Sequence, residues 1–275
     1  MVIRVFLLSL VSLFLQGCDI DILGVFASSD LDDRLKYRNT FRFILPEERS
    51  LLLAGSSYSF IVLTDTHIEN GNAFGLDRLR EVVASDPAVR FVAVLGDITQ
   101  NGRAEDLETF INTVRSFQVP CYPVIGNHDI YHNNWPVWRD LVGSTSYKIE
   151  IETGGNRDAL LILDSANAFF GSSQIGWLDA ELEAARGRVF VFTHTNLFTE
   201  SITDLQTITD LRERARILSV LEGRCAALFT GHAHKRISKT LGGVKYLTLE
   251  DFKSTGTYCS VTVTPAGIGY TFYHL

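Results

Sequence analysis

The stretch ALFTGHAH, residues 227–234, joins a short apolar run to two histidines that follow a glycine. Four other runs end in the same way, namely FIVLTDTH (60–67), FVAVLGD (91–97), YPVIGNHD (122–129) and VFVFTH (189–194). Short apolar runs that end in turn residues are typical of buried strands. We expect five such strands to bring their polar ends to one crevice, because α/β sheets bind ligands at the carboxyl ends of their strands.

Helical patterns alternate with these strands. Residues 76–83, 107–114 and 175–182 each repeat apolar side chains at the spacing of one helix face. This alternation predicts the α/β class. Residues 147–164 and 258–273 each contain two strand-like runs around a turn, which predicts antiparallel pairs and therefore mixed sheets.

The polar side chains at the strand ends are of metal-binding types. Five of the seven histidines lie in these clusters, and only His132 and His274 fall outside them. One such histidine alone is more often a core residue bonded to a carbonyl, but that interpretation fails for five together. Carboxylate, amide and imidazole donors without cysteine suit Mn, Fe or Zn. Two such ions about 3.5–4 Å apart can clamp the attacking and leaving oxygens of a phosphoryl transfer.

The ordered set of motifs is similar to that of a known family. DTH (65–67), GDITQNG (96–102), GNHD (126–129), THT (193–195) and GHAH (231–234) resemble the pattern DxH, GD, GNH[DE], H and GHxH of the calcineurin-like metallophosphoesterases. The resemblance implies an α/β fold, a four-layer α/β/β/α sandwich with two mixed sheets. It also implies a two-metal site at the strand ends.

The resemblance further implies a role for each matching residue. The implied metal ligands are Asp65, His67 and His234 for the first ion, Asn127, His194 and His232 for the second, and Asp97 as the bridge between them. His128 is the implied acid or charge stabiliser that does not bind metal, and Asp129 is implied to orient it.

Two positions depart from the family pattern. The fourth motif commonly has a proline two residues after its histidine, but here Thr195 and Asn196 follow His194. This departure concerns the shape of the loop rather than the ligand. Gln100 stands where purple acid phosphatases carry a tyrosine ligand, so a tyrosinate–iron site is not expected and the metal pair remains Mn, Fe or Zn.

The implied activity is metal-dependent hydrolysis of a phosphodiester, in which a hydroxide shared by the two ions attacks phosphorus in line. A phosphomonoesterase with the same site is the alternative, because the choice depends on loops that the motifs do not specify. A catalytically silent binding protein of the same fold is a further alternative. The presence of His128 and of all seven ligand-type residues favours an enzyme.

Two features near the motifs each have two interpretations. Arg103, Lys235 and Arg236 lie just beyond motif ends and are either contacts for a substrate phosphate or solvated loop charges. The aromatic stretch at residues 130–138 either lines the substrate cleft or packs a loop onto the core.

The amino-terminal segment predicts export. Residues 1–17 hold a single charge, Arg4, and an eleven-residue apolar run, a length that suits a signal peptide better than a membrane-spanning helix. LQGC, residues 15–18, resembles the lipobox of bacterial lipoproteins, which makes Cys18 the first mature residue and a lipid anchor. A plain secretory signal and an uncleaved anchor are the alternatives. We therefore expect a membrane-anchored lipoprotein that faces the periplasm or the cell exterior.

Composition sets the remaining expectations. A chain of 275 residues that is 46% hydrophobic can form a sizeable core. We assign residues 18–57 to an extension docked on a domain of residues 58–275. The net charge of −7 argues against nucleic acid as a specific partner and favours a small phosphoester substrate. Cys121, Cys225 and Cys259 are expected to be buried thiols, and no pattern predicts an oligomeric state.

Overall fold

The computed structural model describes residues 30–73, 75–198, 207–208 and 210–275. Within these residues the strands form one sheet of seven and one of five. The strands are β1 (Ser50–Leu52), β2 (Tyr58–Leu63), β3 (Val89–Leu95), β4 (Cys121–Val124), β5 (Tyr147–Glu152), β6 (Arg157–Ile162), β7 (Val189–Phe192), β8 (Ala227–Thr230), β9 (Ile237–Leu241), β10 (Val244–Thr248), β11 (Thr257–Thr264) and β12 (Gly267–His274).

The order of strands is β1-β5-β6-β7-β8-β10-β9 in the larger sheet and β12-β11-β2-β3-β4 in the smaller. The neighbours β2, β3 and β4 are parallel, as are β6, β7 and β8. The pairs β5–β6 and β11–β12 are antiparallel, as predicted. Both sheets are therefore mixed.

Helices form where the sequence repeats apolar residues at helical spacing, as predicted. The α-helices are α1 (Leu31–Leu35), α2 (Leu76–Ser85), α3 (Ala104–Arg115), α4 (Trp135–Leu141), α5 (Ser172–Ala184), α6 (Leu211–Leu221) and α7 (Phe252–Thr255), and 3₁₀ turns span Pro46–Glu48 and His128–Asn133. The predicted stripes of α2, α3 and α5 face the core. In the described part of the chain, no helix combines the length and the apolar character needed to span a membrane.

The alternation of side chains along β7 explains the layers. Phe190 and Phe192 point toward the other sheet, where their ring centroids lie 5.2 and 6.1 Å from that of Phe60 on β2. Val189 and Val191 point the other way and pack in the cluster that contains the apolar faces of α5 and α6. The apolar faces of α2 and α3 join the cluster of the five-stranded sheet. The fold is the predicted α/β/β/α sandwich.

Residues 30–57 are built into this sandwich. Strand β1 pairs in parallel with β5 and forms an edge of the seven-stranded sheet. On α1, Arg34 is fully buried, and its Nε and Nη2 lie 2.7 and 2.9 Å from the two carboxylate oxygens of Asp164. Removing one partner of such a buried pair costs about 3–5 kcal/mol. The predicted signal peptide and Cys18 lie outside the described residues.

The structure favours packing for the aromatic stretch that follows GNHD. Trp135 and Trp138 are 8% and 0% exposed, and both belong to the main core cluster. Their rings therefore fasten this loop to the domain. Cys121, Cys225 and Cys259 are buried thiols, as predicted.

Candidate metal centre

The loops that follow β2, β3 and β8 hold their polar residues in an unusual backbone conformation. Among the described residues, five of the nine non-glycine residues with positive φ are predicted metal ligands. They are Asp65, His67, Asp97, His232 and His234. A left-handed conformation costs a residue with a Cβ of order 1–3 kcal/mol, and such strain clusters at functional sites.

Glycines allow these loops to approach each other. A Cβ on Gly231 would collide with the hydroxyl of Thr64 and the carboxylate of Asp65. A Cβ on Gly126 would collide with the backbone and carboxylate of Asp97. The glycines of GNHD and GHAH are therefore required because another loop occupies the space of their side chains.

Asp65, His67 and His234 form the first group of ligand atoms. The Nε2 atom of His234 lies 3.1 Å from Oδ1 of Asp65 and 3.4 Å from Nε2 of His67. The Nε2 atom of His67 lies 3.7 Å from the same Asp65 oxygen. These three side chains can hold one metal ion.

Asn127, His194 and His232 form the second group. The Nε2 atom of His194 lies 3.1 Å from Oδ1 of Asn127 and 3.1 Å from Nδ1 of His232. It also lies 3.2 Å from Oδ2 of Asp97. Asp97, His194 and His232 can hold a second ion.

Asp97 stands between the two groups. Its Oδ2 atom faces His194 on one side and lies 4.0 Å from Nε2 of His67 on the other. Its Oδ1 atom accepts a hydrogen bond from the backbone N–H of His128 at 2.9 Å. One carboxylate is thus fixed where it can reach both groups.

The hydrogen bonds of the second group show that it suits a cation. The Nδ1 atom of His194 donates to the carbonyl of Leu95 at 2.8 Å, so Nε2 is the ring nitrogen that binds either a proton or a metal ion. That nitrogen faces acceptor atoms of Asp97, Asn127 and His232. Burial and the neighbouring His194 together lower the pKa of His232 to about 4, so this imidazole is neutral at pH 7. Several converging acceptors are satisfied by a metal ion better than by one another.

The carboxylates of the site remain ionised despite their burial. Burial raises the pKa of Asp65, but the hydrogen bonds of His234 and His67 outweigh it and hold this pKa well below its usual value. Burial lowers the pKa of His194, but the Asp97 carboxylate raises it to about 9. Without metal, a proton on His194 therefore compensates part of the buried negative charge.

The structure also shows how His128 is oriented. Its Nδ1 atom donates to the backbone carbonyl of Gln100 at 2.7 Å, and its Nε2 atom lies 3.9 Å from Oδ2 of Asp97. The carboxylate of Asp129, which was predicted to orient His128, instead accepts hydrogen bonds from Thr99 and from the backbone N–H groups of Ile98 and Gly126. Asp129 therefore braces the loops after β3 and β4, and the Gln100 carbonyl orients the ring.

The loop that carries His194 compensates for the proline that its motif lacks. The backbone N–H of Thr195 donates to the hydroxyl of Ser165, and the hydroxyl of Thr195 donates to the carbonyl of Ser165, both at 2.8 Å. The hydroxyls of Thr193 and Ser165 are also 2.8 Å apart. These bonds tie the loop to the segment that follows β6.

The charges beyond the motif ends are largely paired. Arg103 lies 3.7 Å from Glu105, and Arg236 lies 2.7 Å from Glu250. Lys253, which no motif indicated, extends its ammonium group to 3.3 Å from Oε1 of Gln100. Its backbone N–H also donates to the carbonyl of Asp65, so the fold places a cation from outside the motifs beside residues of two motifs.

Comparisons with known proteins agree with this geometry. The family model of the calcineurin-like phosphoesterases matches residues 58–236. A probable glycerophosphodiester phosphodiesterase of Arcobacter nitrofigilis is 27% identical, and the match covers 66% of this chain and 73% of that protein. A probable cyclic nucleotide phosphodiesterase of Rhodococcus erythropolis is 25% identical, with 66% of each chain covered. A dimetal phosphatase from Danio rerio shares the fold with a TM-score of 0.61 at 18% identity, over 78% of this chain and 98% of its own.

Proposed function

The chain belongs to the calcineurin-like phosphoesterase family, and on this premise we propose that it hydrolyses a phosphodiester at the candidate metal centre. The observation that carries the proposal is the convergence of two ligand groups on Asp97, with Nε2 of His128 3.9 Å from the same carboxylate. The side chains that the chemistry needs therefore lie close together.

Each residue has a defined task in this proposal. Asp65, His67 and His234 would hold one ion, Asn127, His194 and His232 the other, and Asp97 would contact both. When bound, two ions of Mn, Fe or Zn supply positive charge that neutralises the phosphoryl oxygens and lowers the pKa of a water. His128 would place a proton at the leaving oxygen or stabilise the charge that forms there.

The charge of the site supports a diester rather than a monoester. A phosphomonoester carries about −1.5 to −2 charges at neutral pH, whereas a diester carries a single charge. Arg103 and Arg236 are each paired with a carboxylate, and Lys253 lies beside Gln100, so a single substrate charge is the better match for these cations. The two relatives, a probable glycerophosphodiester phosphodiesterase and a probable cyclic nucleotide phosphodiesterase, point the same way.

The test is a comparison of two model substrates in the presence of Mn²⁺, Fe²⁺ or Zn²⁺. We expect kcat/KM for bis-p-nitrophenyl phosphate to exceed that for p-nitrophenyl phosphate by about tenfold or more, the range over which shape and charge discriminate similar substrates. The reverse ratio would assign the site to monoesters. Metal-loaded protein that turns over neither substrate would favour the silent binding protein.

We further propose that the enzyme is exported and anchored through a lipid on Cys18. The support is the apolar segment of residues 5–15 and the lipobox-like LQGC that follows it. Two or more acyl chains give stable anchoring, at about 0.8 kcal/mol per buried CH₂. The anchor would hold the folded domain, into which residues 30–57 are built, at the membrane surface.

In a bacterial host, mass spectrometry of the mature protein is expected to find a lipidated Cys18 at its amino terminus. Cys18→Ser should remove the lipid and block the processing that depends on it. An unmodified mature terminus elsewhere in the wild-type protein would refute the anchor without affecting the proposed activity.

A further inference from the structure

Tyr131 contacts two residues of the proposed site that have different tasks. The side-chain Nδ2 of Asn127 donates a hydrogen bond to the Tyr131 hydroxyl at 2.9 Å. The Tyr131 ring lies against His128, with 4.3 Å between the ring centroids. The side chain is 3% exposed, so both contacts are shielded from water.

The backbone is shaped to make these contacts. Within the 3₁₀ segment His128–Asn133, Tyr131 leaves the helical conformation with ψ 154°, and His132 follows with φ 55°. The kink lies after the Cα of Tyr131, so residues 127–131 still form the turn that places Tyr131 on the same face as Asn127 and His128. The left-handed His132 then leads the chain away from this turn.

We propose that Tyr131 is a positioning residue whose hydroxyl fixes the amide of Asn127 with its oxygen toward the second metal position. An asparagine amide has a donor end and an acceptor end, and only the oxygen can bind a cation. Because Nδ2 donates to Tyr131, Oδ1 is the end that faces His194, at 3.1 Å from its Nε2. The inference rests on the proposed function, because it deepens the assignment of Asn127 as a ligand.

The hydroxyl also affects how strongly the amide oxygen binds. When Nδ2 of Asn127 donates a hydrogen bond to the Tyr131 hydroxyl, electron density in the amide shifts toward Oδ1. This shift makes Oδ1 a better metal ligand. Removing a group that orients a ligand typically costs 10–100-fold in metal affinity or activity. The cost should fall on the second ion alone, since Asp65, His67 and His234 form a separate group.

The experiment is a metal titration of the full-length Tyr131→Phe protein, stripped of metal and then titrated with Mn²⁺. This change removes one oxygen and keeps the ring against His128. We expect one of the two sites to bind Mn²⁺ about 10–100-fold more weakly while the other keeps its wild-type affinity. Calorimetry or electron paramagnetic resonance of bound Mn²⁺ reads this without any substrate. Excess Mn²⁺ should then restore most of the lost turnover.

Tyr147→Phe is the matched control. Tyr147 is 1% exposed, and its hydroxyl donates to the carbonyl of Pro123, which is outside the ligand groups. This variant loses an equally buried hydroxyl and should keep both Mn²⁺ affinities. Thermal unfolding of the metal-free variants shows whether each one folds like the wild type.

Each outcome decides the inference. Unchanged Mn²⁺ binding in Tyr131→Phe would overturn it. Equal weakening of both sites, or the same loss in Tyr147→Phe, would show that Tyr131 has only a structural role. Either result would also overturn the inference. Wild-type protein that binds fewer than two ions would instead overturn the two-metal proposal on which it rests.

Discussion

Replacing Asp97 with asparagine is expected to weaken the binding of both metal ions and to abolish measurable turnover. The substitution keeps the size of the side chain and removes its charge. Oδ2 of Asp97 lies 3.2 Å from Nε2 of His194 and 4.0 Å from Nε2 of His67, so it is the carboxylate that both ligand groups share. Removing a residue that only hydrogen-bonds to a metal ligand already lowers metal affinity by about 10–100-fold. We therefore expect the loss of a bridging ligand to lower it by more than about 100-fold.

Metal content after dialysis, measured per chain, is the primary readout. The wild type should retain close to two ions, and Asp97→Asn should retain fewer than one. A second readout needs no metal: the Asp97 carboxylate raises the pKa of His194 to about 9 against the effect of burial. Removing that charge stabilises the neutral ring, so the pKa of His194 should fall in an NMR titration of the metal-free variant.

Asp158→Asn provides the control for this experiment. Asp158 is 2% exposed and accepts a hydrogen bond from Tyr58. It lies near the amino end of β6, whereas His194 follows the carboxyl end of the parallel neighbour β7. This variant should keep its metal. If Asp97→Asn also kept a fully occupied pair, Asp97 would not be the bridge.

The strand ends were predictable because each signal is local. The runs that end in Asp65, Asp97, Asn127, His194 and His232 place an apolar strand next to its polar cluster in the sequence. Strands that are parallel and buried must then deliver those clusters to one edge. The four layers were implied by the family resemblance, and the structure explains them, since the alternation in β7 sends Phe190 and Val191 to opposite faces.

The supporting contacts were not predictable, because they join distant positions or use the backbone. Arg34 meets Asp164 across 130 residues, and a lone arginine in an irregular segment has no pattern that names its partner. Gln100 orients His128 through its carbonyl, a group that every residue carries. Strand β1 has three residues, too few to show a period. The family resemblance had instead implied that the side chain of Asp129 orients His128.

Replacing His128 with alanine is expected to reduce turnover of an alkyl or nucleoside diester by about 10²–10⁴, the usual contribution of a positioned proton donor, while metal content stays at the wild-type level. The backbone N–H of His128, not its ring, bonds to Asp97, so the variant keeps that contact. His132→Asn is the control, since His132 is an exposed histidine in the same segment, asparagine tolerates its left-handed backbone, and the change should leave turnover unchanged. Loss of metal in His128→Ala would make His128 a ligand instead.

The pH dependence of turnover also tests whether His128 donates a proton. Nδ1 of His128 donates to the Gln100 carbonyl, so a proton for the leaving oxygen must sit on Nε2. Burial lowers the pKa of His128, although Asp97 partly offsets this, and the doubly protonated ring exists only below that pKa. Turnover by the wild type should therefore fall as pH rises through this pKa, and His128→Ala should lack that fall.

Substrates with different leaving groups distinguish the two possible roles of His128, as a general acid or as a charge stabiliser. A nitrophenolate is weakly basic and needs little protonation, whereas an alkoxide or sugar oxygen needs a full proton as the bond to phosphorus breaks. If His128 acts as the acid, the loss in His128→Ala should be largest for an alkyl or nucleoside diester and small for bis-p-nitrophenyl phosphate. An equal loss for both substrates would assign His128 to charge stabilisation, because an electrostatic contact acts on the phosphoryl group whatever the leaving oxygen is. No loss with either substrate would remove His128 from the mechanism, and Lys253, beside Gln100, would then be the next cation to substitute.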